Sequence, residues 1–202
     1  HPPRHPERKD RMKLLYSSTS PYSAKVRMSA HYLGLDVASE PTKTEDAPAE
    51  LVANNPLGKI PVLIRDGKPP VFDSVAIMQF FNRETRGRLY PRNPDKRTDA
   101  EILEALADGI TDCLLAIVYE KRFHPPEKIH QPWIDRQWEK VVRGLDYLNA
   151  HLPKTNKNLH GGHFALALRF PGEWEKGHGK LKNWPQKFEK FFPEYQRFKP
   201  QS

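Results

Sequence analysis

Lys13-Leu14-Leu15-Tyr16-Ser17-Ser18-Thr19-Ser20-Pro21-Tyr22-Ser23-Ala24-Lys25-Val26-Arg27 carries the chain from a strand into a helix. Lys13 to Ser17 is short, apolar and strand-like, and Ser18 to Ser20 form a turn. Ser20 has the chemistry of an N-cap and Pro21 suits the first helical position. Val26, Ala30 and Leu33 then recur at helical spacing until Gly34 stops the helix. As it stands this is sound helix-start chemistry. The same geometry also suits an anion, because a helix N-terminus carries about half a positive charge and unpaired N–H groups. A free thiol, with a pKa near ~8.5, is mostly protonated at neutral pH. A hydroxyl donating to its sulfur beside that helix end would hold it as a thiolate. The nucleophile would then belong to a ligand, and the chain would need no catalytic cysteine.

Working outward, a second strand-like piece lies near Val37, and Pro48 to Ala53 reads as one or two helical turns ended by Asn54-Asn55-Pro56-Leu57-Gly58. Pro61-Val62-Leu63-Ile64 is a third strand, Asp66-Gly67 a turn signal and Pro70-Val71-Phe72 a short fourth strand. Asp73 then caps a helix bearing Val75, Ile77, Met78 and Phe81. The order is βαβ, a short helix, then ββα. Tyr90 to Pro94 reads as a linker, and the pattern beyond it is helical. Ile102, Leu103, Leu106, Ile110, Cys113, Leu114, Ile117 and Val118 mark one long amphipathic helix, and Trp133, Ile134, Trp138, Val141, Val142, Leu145 and Leu148 a second. The expected division is an α/β domain over 12–92, an all-helical domain over 93–202, and an extension or tag over 1–11.

Two more segments carry chemistry. In Asn55-Pro56-Leu57-Gly58-Lys59-Ile60-Pro61-Val62, Pro61 opens a strand straight after a loop, where a cis peptide bond is plausible. A cis bond would leave the backbone of Ile60 free to pair with a peptide laid alongside like an added strand; an ordinary loop-to-strand proline is the plain alternative. In Phe72-Asp73-Ser74 a strand runs into a helix. Asp73 can simply cap that helix, or it can also receive the ammonium of an amino-acid-like ligand, whose carboxylate Ser74 and its N–H would suit.

These three motifs, in this order and spread over about sixty residues, resemble the glutathione site of the serine-type cytosolic glutathione transferases. The Ser-Pro-aromatic form is similar to the tau and zeta classes and to many bacterial relatives, and Trp138 to Leu152 is also family-like. The resemblance implies a thioredoxin-like α/β domain followed by an all-α domain. It implies that Ser20 activates the sulfur of glutathione, the co-substrate, with Thr19 as a candidate auxiliary. Tyr22, Lys59, Ile60, Pro61, Asp73 and Ser74 would contact glutathione: Ile60 its cysteinyl backbone, Asp73 and Ser74 its γ-glutamyl end, Lys59 its glycine carboxylate. The acceptor pocket for a small hydrophobic electrophile would lie between Tyr22 and the first long C-terminal helix, near Asp112 and Tyr119. A homodimer is implied, with the helix from Asp73 to Thr85 meeting its partner through Phe80, Phe81 and Tyr90. One departure stands out. The family opens a buried helix after Gly161-Gly162-His163-Phe164 with a Ser/Thr-x-x-Asp capping box. Here Ala165-Leu166-Ala167-Leu168 runs at once into Arg169-Phe170-Pro171-Gly172, which suggests a missing segment.

Composition narrows the alternatives. The net charge is +8, but the positive residues are scattered among acids and thicken only toward the tail, so a solvated helix face explains them better than a nucleic-acid groove. With Cys113 the single cysteine, no internal disulfide can form, and with no signal-like start a reducing cytoplasm is the expected setting. Cys113 itself falls on an apolar stripe and reads as a core residue. His160 with His163, and His124 with His130, lack a third ligand at metal spacing and read as polar surface residues; no metal is expected. Trp174 and Trp184 read as packing groups rather than base-stacking platforms. The remaining readings are a glutathione-dependent disulfide or peroxide reductase, and a non-enzymatic transferase-like interaction or stress protein.

Overall fold

Leu14 and Leu15, each 1% exposed, point to opposite faces of a central strand and thereby fix the layers around it. A computed structural model describes residues 11–167 and 177–201. Strand β1 (Met12–Tyr16) pairs in parallel with β2 (Val37–Pro41) and antiparallel with β3 (Val62–Arg65), which pairs antiparallel with β4 (Lys68–Val71). The sheet order is β2-β1-β3-β4. On one face Leu14 and Leu63 join the main core with Val26, Ile77 and Phe81, contributed by α1 (Pro21–Leu33) and α3 (Ser74–Glu84). On the other face Leu15 and Val62 form a small cluster with Leu51 of α2 (Ala49–Asn54). The thioredoxin-like βαβ-α-ββα order expected from the sequence is what is found. β4 starts two residues before the expected Pro70. Gly67, at φ +67°, turns the chain tightly enough for Lys68 to pair with Arg65.

A helical region follows: α4 (Pro94–Phe123), a single 3-10 turn (Pro126–Lys128), α5 (Gln131–Ala150), α6 (Gly161–Leu166), α7 (Gly179–Glu189) and α8 (Tyr195–Phe198). The expected linker is held by buried Asn82, whose Oδ1 accepts the N–H groups of Leu89 (3.1 Å) and Tyr90 (2.9 Å). Pro94 then opens α4 behind the N-cap Asn93, whose side chain accepts from the N–H of Lys96.

The apolar pattern of α4 and α5 is only partly the buried face. Ala100, Ala107, Ile110 and Thr111 are inside, whereas Ile102, Val118, Trp133 and Trp138 are exposed. Small residues and a paired acid occupy the helix contact, so counting large apolar residues placed the stripe too broadly. The expected partner contacts are also corrected. Phe80, Phe81 and Tyr90 are buried within the chain's own core, with Tyr90 only 2% exposed, and are not available to a second copy. Cys113 packs against the same core, as its place on α4 suggested. Trp184 is buried and donates to Thr155 Oγ1 at 3.0 Å, while Trp174 lies outside the described residues.

His163 is buried and His160 half-buried, so neither is the exposed polar residue expected from the sequence. His160 caps α6, its Nδ1 accepting the N–H of Gly162 at 3.1 Å, and His163 Nδ1 accepts the N–H of His160 at 3.1 Å. Two imidazoles thus supply the reciprocal bonds of a capping box, the roles for which the sequence offered no Ser/Thr-x-x-Asp. Glycine is required directly after the cap. A Cβ on Gly161 would meet the Tyr90 ring at 2.6 Å, and one on Gly162 the carbonyl oxygen of Ala100 at 2.8 Å. The expected missing segment after Ala165 abuts 168–176, which lie outside the described residues.

Candidate glutathione site

Strand register gathers the three sequence motifs at one end of the sheet. β1 ends at Tyr16 and leads into the Ser17–Ser20 turn; Leu15 pairs with Val62, so Ile60-Pro61 enters β3 beside that turn. Leu63 pairs with Val71, so Phe72-Asp73 leaves β4 on the same side. The N-termini of α1 and α3 therefore open at this end, and each has a polar cap.

Ser20 caps α1 in extended backbone, and its Oγ accepts the N–H of Ser23 at 3.2 Å. Among the described residues its hydroxyl proton has no protein acceptor, so it remains free to donate. Thr19 differs: its Oγ1 pairs with Ser17 Oγ at 2.9 Å, which closes the turn. Tyr22 faces the other way, its hydroxyl donating to Asp112 of α4. Burial, with Asp112 reinforcing it, raises the Tyr22 pKa far above the usual phenol value, so this group stays protonated.

The Ile60–Pro61 bond is cis, as the loop-to-strand position suggested, and Phe72–Asp73 is cis as well. Asn55 shapes the preceding loop: its Nδ2 donates to the Lys59 carbonyl at 2.9 Å and its Oδ1 accepts from the Leu57 N–H at 3.0 Å. Lys59 itself is exposed. Asp73 accepts the N–H groups of Val75 (3.1 Å) and Ala76 (3.4 Å) through one oxygen, Oδ1, and is solvent-exposed; Ser74 is buried beneath it. Asp73 can thus cap α3 and still present Oδ2 outward.

A family model described as the glutathione S-transferase N-terminal domain matches residues 19–84, a stretch containing Thr19, Ser20, Tyr22, Lys59, Ile60, Pro61, Asp73 and Ser74. The uncharacterized GST-like protein YibF of Escherichia coli (strain K12) is 32% identical over 145 residues, 70% of this chain and 70% of that protein. The chain belongs to the glutathione S-transferase-like family. Solved family structures resemble it along nearly its whole length. A glutathione S-transferase from Methylobacterium radiotolerans, in complex with glutathione sulfonate, is 26% identical at a TM-score of 0.85 and covers 95% of this chain and 96% of its own. A glutathione transferase family member from Pseudomonas fluorescens Pf-5, with bound glutathione, is 28% identical at a TM-score of 0.80, covering 95% and 100%.

Behind this glutathione S-transferase-like site lies a cluster that the sequence reading passed over. Lys25 of α1 is fully buried, with Nζ 3.0 Å from Glu104 Oε1 and 2.7 Å from Asp108 Oδ2, both on α4. The Tyr90 hydroxyl donates to the other oxygen of Glu104. Burial raises the Asp108 pKa while Lys25 opposes the rise. Glu104 and Asp108 are four apart on one helical face, but nothing local to Lys25 in the sequence marks it as their partner. A lysine facing the core needs such a pair.

A crevice of about 330 Å³ between β2 and α2, lined by Leu15, Thr42, Lys43, Asp46 and Glu50 among others, contains none of the sequence-predicted contact residues. At its edge Lys13 bridges Glu40 (3.0 Å) and Glu50. Among the described residues no group of three potential metal ligands occurs, and no helix is long and apolar enough to cross a membrane.

Proposed function

We propose that this protein is a glutathione transferase that conjugates the thiolate of glutathione to small hydrophobic electrophiles. The observation that carries this reading is the convergence of the Ser20 cap, the Ile60-Pro61 entry into β3 and the Asp73 cap at one end of the sheet. Glutathione bound there would lay its cysteinyl backbone along Ile60, as an added strand does. Its γ-glutamyl ammonium would meet Asp73 and its γ-glutamyl carboxylate the α3 N-terminus at Ser74. Lys59, exposed on the loop, is in a suitable place for the glycine carboxylate.

Ser20 then donates its hydroxyl proton to the glutathione sulfur while its own oxygen continues to accept from Ser23. The partial positive charge of the α1 N-terminus adds to this, and both favour the thiolate. Thr19 is the weaker candidate because its hydroxyl is paired with Ser17. Tyr22 borders the acceptor pocket, where its bond to Asp112 ties α1 to α4 and Tyr119 lies further along α4. The electrophile sits between these groups; the thiolate sulfur bonds to its electrophilic carbon, and a halide leaves that carbon with the bonding pair or, in an addition to an activated alkene, the adjacent carbanion takes a proton from water.

Glutathione is the co-substrate and no metal has a role. A cytoplasmic setting fits this reading, because reduced glutathione is available there. A homodimer would use exposed apolar residues, such as Val75 of α3 and Ile102 of α4, in place of the buried Phe80, Phe81 and Tyr90. Turnover of a reactive aryl halide tests the mechanism. Ser20→Ala should lower kcat on the order of a hundredfold, as loss of one charge-stabilising donor does, with little change in glutathione affinity. Unchanged turnover would remove Ser20 from the chemistry.

A further inference from the structure

Arg27 and Arg197 lie together without an acid. Arg27 projects from the second half of α1, its guanidinium carbon 4.1 Å from the centroid of the Tyr16 ring and 5.1 Å from that of Phe198. Arg197, on the short α8, reaches the same Phe198 ring at 4.9 Å. Among the described residues neither guanidinium has an ion pair, and Arg27 Nε is buried with no hydrogen-bond partner. The aromatic rings serve the flat face of a guanidinium but give nothing to its N–H edge. Burial lowers the Arg27 pKa; Tyr16 opposes the fall and the charge of Arg197 adds to it.

Both arginines line a crevice of about 260 Å³ with His31, Leu35, Ser39 and Phe198. The crevice lies toward β2 and the C-terminal half of α1, away from the α1 N-terminus, and none of the proposed glutathione contacts line it. No acid is among the residues lining the crevice, and Glu194 lies 3.5 Å from His31 Nε2. It engages the imidazole and leaves both guanidiniums unpaired.

We infer that this crevice is a second binding site, separate from the glutathione site, for a phosphate-type dianion held between Arg27 and Arg197. Two guanidiniums present several N–H donors in planar forks that match the oxygens of a phosphoryl group, and the Ser39 hydroxyl can add a neutral donor. A dianion held between the two arginines attracts each more strongly than a monoanion of the same size does. The ligand is free phosphate or the phosphoryl group of a small ester whose body rests on Leu35 and Phe198.

Calorimetric titration of the intact protein with inorganic phosphate, phenyl phosphate and acetate, at fixed ionic strength, tests this without reference to glutathione. Phosphate should bind saturably with millimolar or tighter affinity, and acetate at least tenfold more weakly. Tighter binding of phenyl phosphate than of phosphate identifies an ester as the ligand, and equal binding identifies free phosphate. Arg197→Gln removes an exposed side chain and should weaken phosphate at least tenfold while the thermal midpoint measured without phosphate stays put. Arg27→Lys, which keeps charge but loses the fork, should weaken it by a similar factor. No saturable binding by folded wild-type protein, equal affinity for acetate, or undiminished binding by both variants would each overturn the assignment.

Discussion

Lys25 Nζ lies 3.0 Å from Glu104 Oε1 with both side chains out of water, so the sheet-bearing part of the chain is tied to the helical part by a buried charge pair. Asp108 supplies the second acid at 2.7 Å and Tyr90 the remaining donor to Glu104. Removing Lys25 leaves Glu104 and Asp108 inside the fold without their cation. Lys25→Met should therefore destabilise the fold by about 3–5 kcal/mol, read by urea denaturation. Combining it with Glu104→Leu and Asp108→Leu should recover much of that loss. Equal destabilisation by the single and triple variants would show that packing, not charge, is what Lys25 provides.

The imidazole capping box makes stability depend on pH. Both rings accept backbone N–H groups through Nδ1 and so must be neutral; burial lowers the His160 pKa to about 3, with the neighbouring His163 contributing, and burial lowers His163 as well. His163 Nε2 faces the Lys154 carbonyl at 3.0 Å, consistent with a proton on that nitrogen. The folded pKa values lie below the ordinary histidine value, so the unfolded chain takes up protons first as pH falls. Stability from these rings is present above about pH 6.5 and is lost progressively toward pH 3. Exchanging both rings for a conventional capping box, by His160→Ser with His163→Asp, should flatten the thermal midpoint between about pH 4 and 6.5 relative to wild type. An equally steep fall in the double variant would place the acid sensitivity elsewhere.

Gly161→Ala should be costly although alanine is the better helix former. The added methyl would meet the Tyr90 ring at 2.6 Å, and Tyr90 cannot retreat without breaking its bond to Glu104. A loss of roughly 1–3 kcal/mol is expected in denaturant unfolding, the range for overpacking a close contact. At Gly109, where a Cβ would have nothing within 4 Å, the same change should be neutral or mildly stabilising. A neutral Gly161→Ala would mean that α6 sits less tightly on Tyr90 than this contact requires.

How much of this could be read from the sequence follows the range of the interactions. The element order was legible because each boundary carries its own local chemistry: Ser20-Pro21, Gly34, Asp66-Gly67 and Asp73 all sit where their side chains or backbone freedom require. Pro61 declared its loop-to-strand position, and the cis bond is there. The non-local features were not legible. Lys25 looks like one more surface lysine until Glu104 and Asp108 are brought against it from about eighty residues away. His160 and His163 show no metal pattern, and nothing in their spacing distinguishes an imidazole cap from an exposed pair. Phe80, Phe81 and Tyr90 were large and apolar, which fits a partner surface and a core equally well; only the packing decides for the core.

The most direct test of the central claim is calorimetric titration of reduced glutathione into the wild type and into Asp73→Asn. Asparagine keeps the cap on α3 but removes the charge offered to the γ-glutamyl ammonium, so a change in binding is not a change in folding. Saturable binding by the wild type, weakened at least tenfold in Asp73→Asn, is the expected result. A folded wild-type protein that binds no glutathione, or a variant that binds it equally well, would contradict the site assigned here.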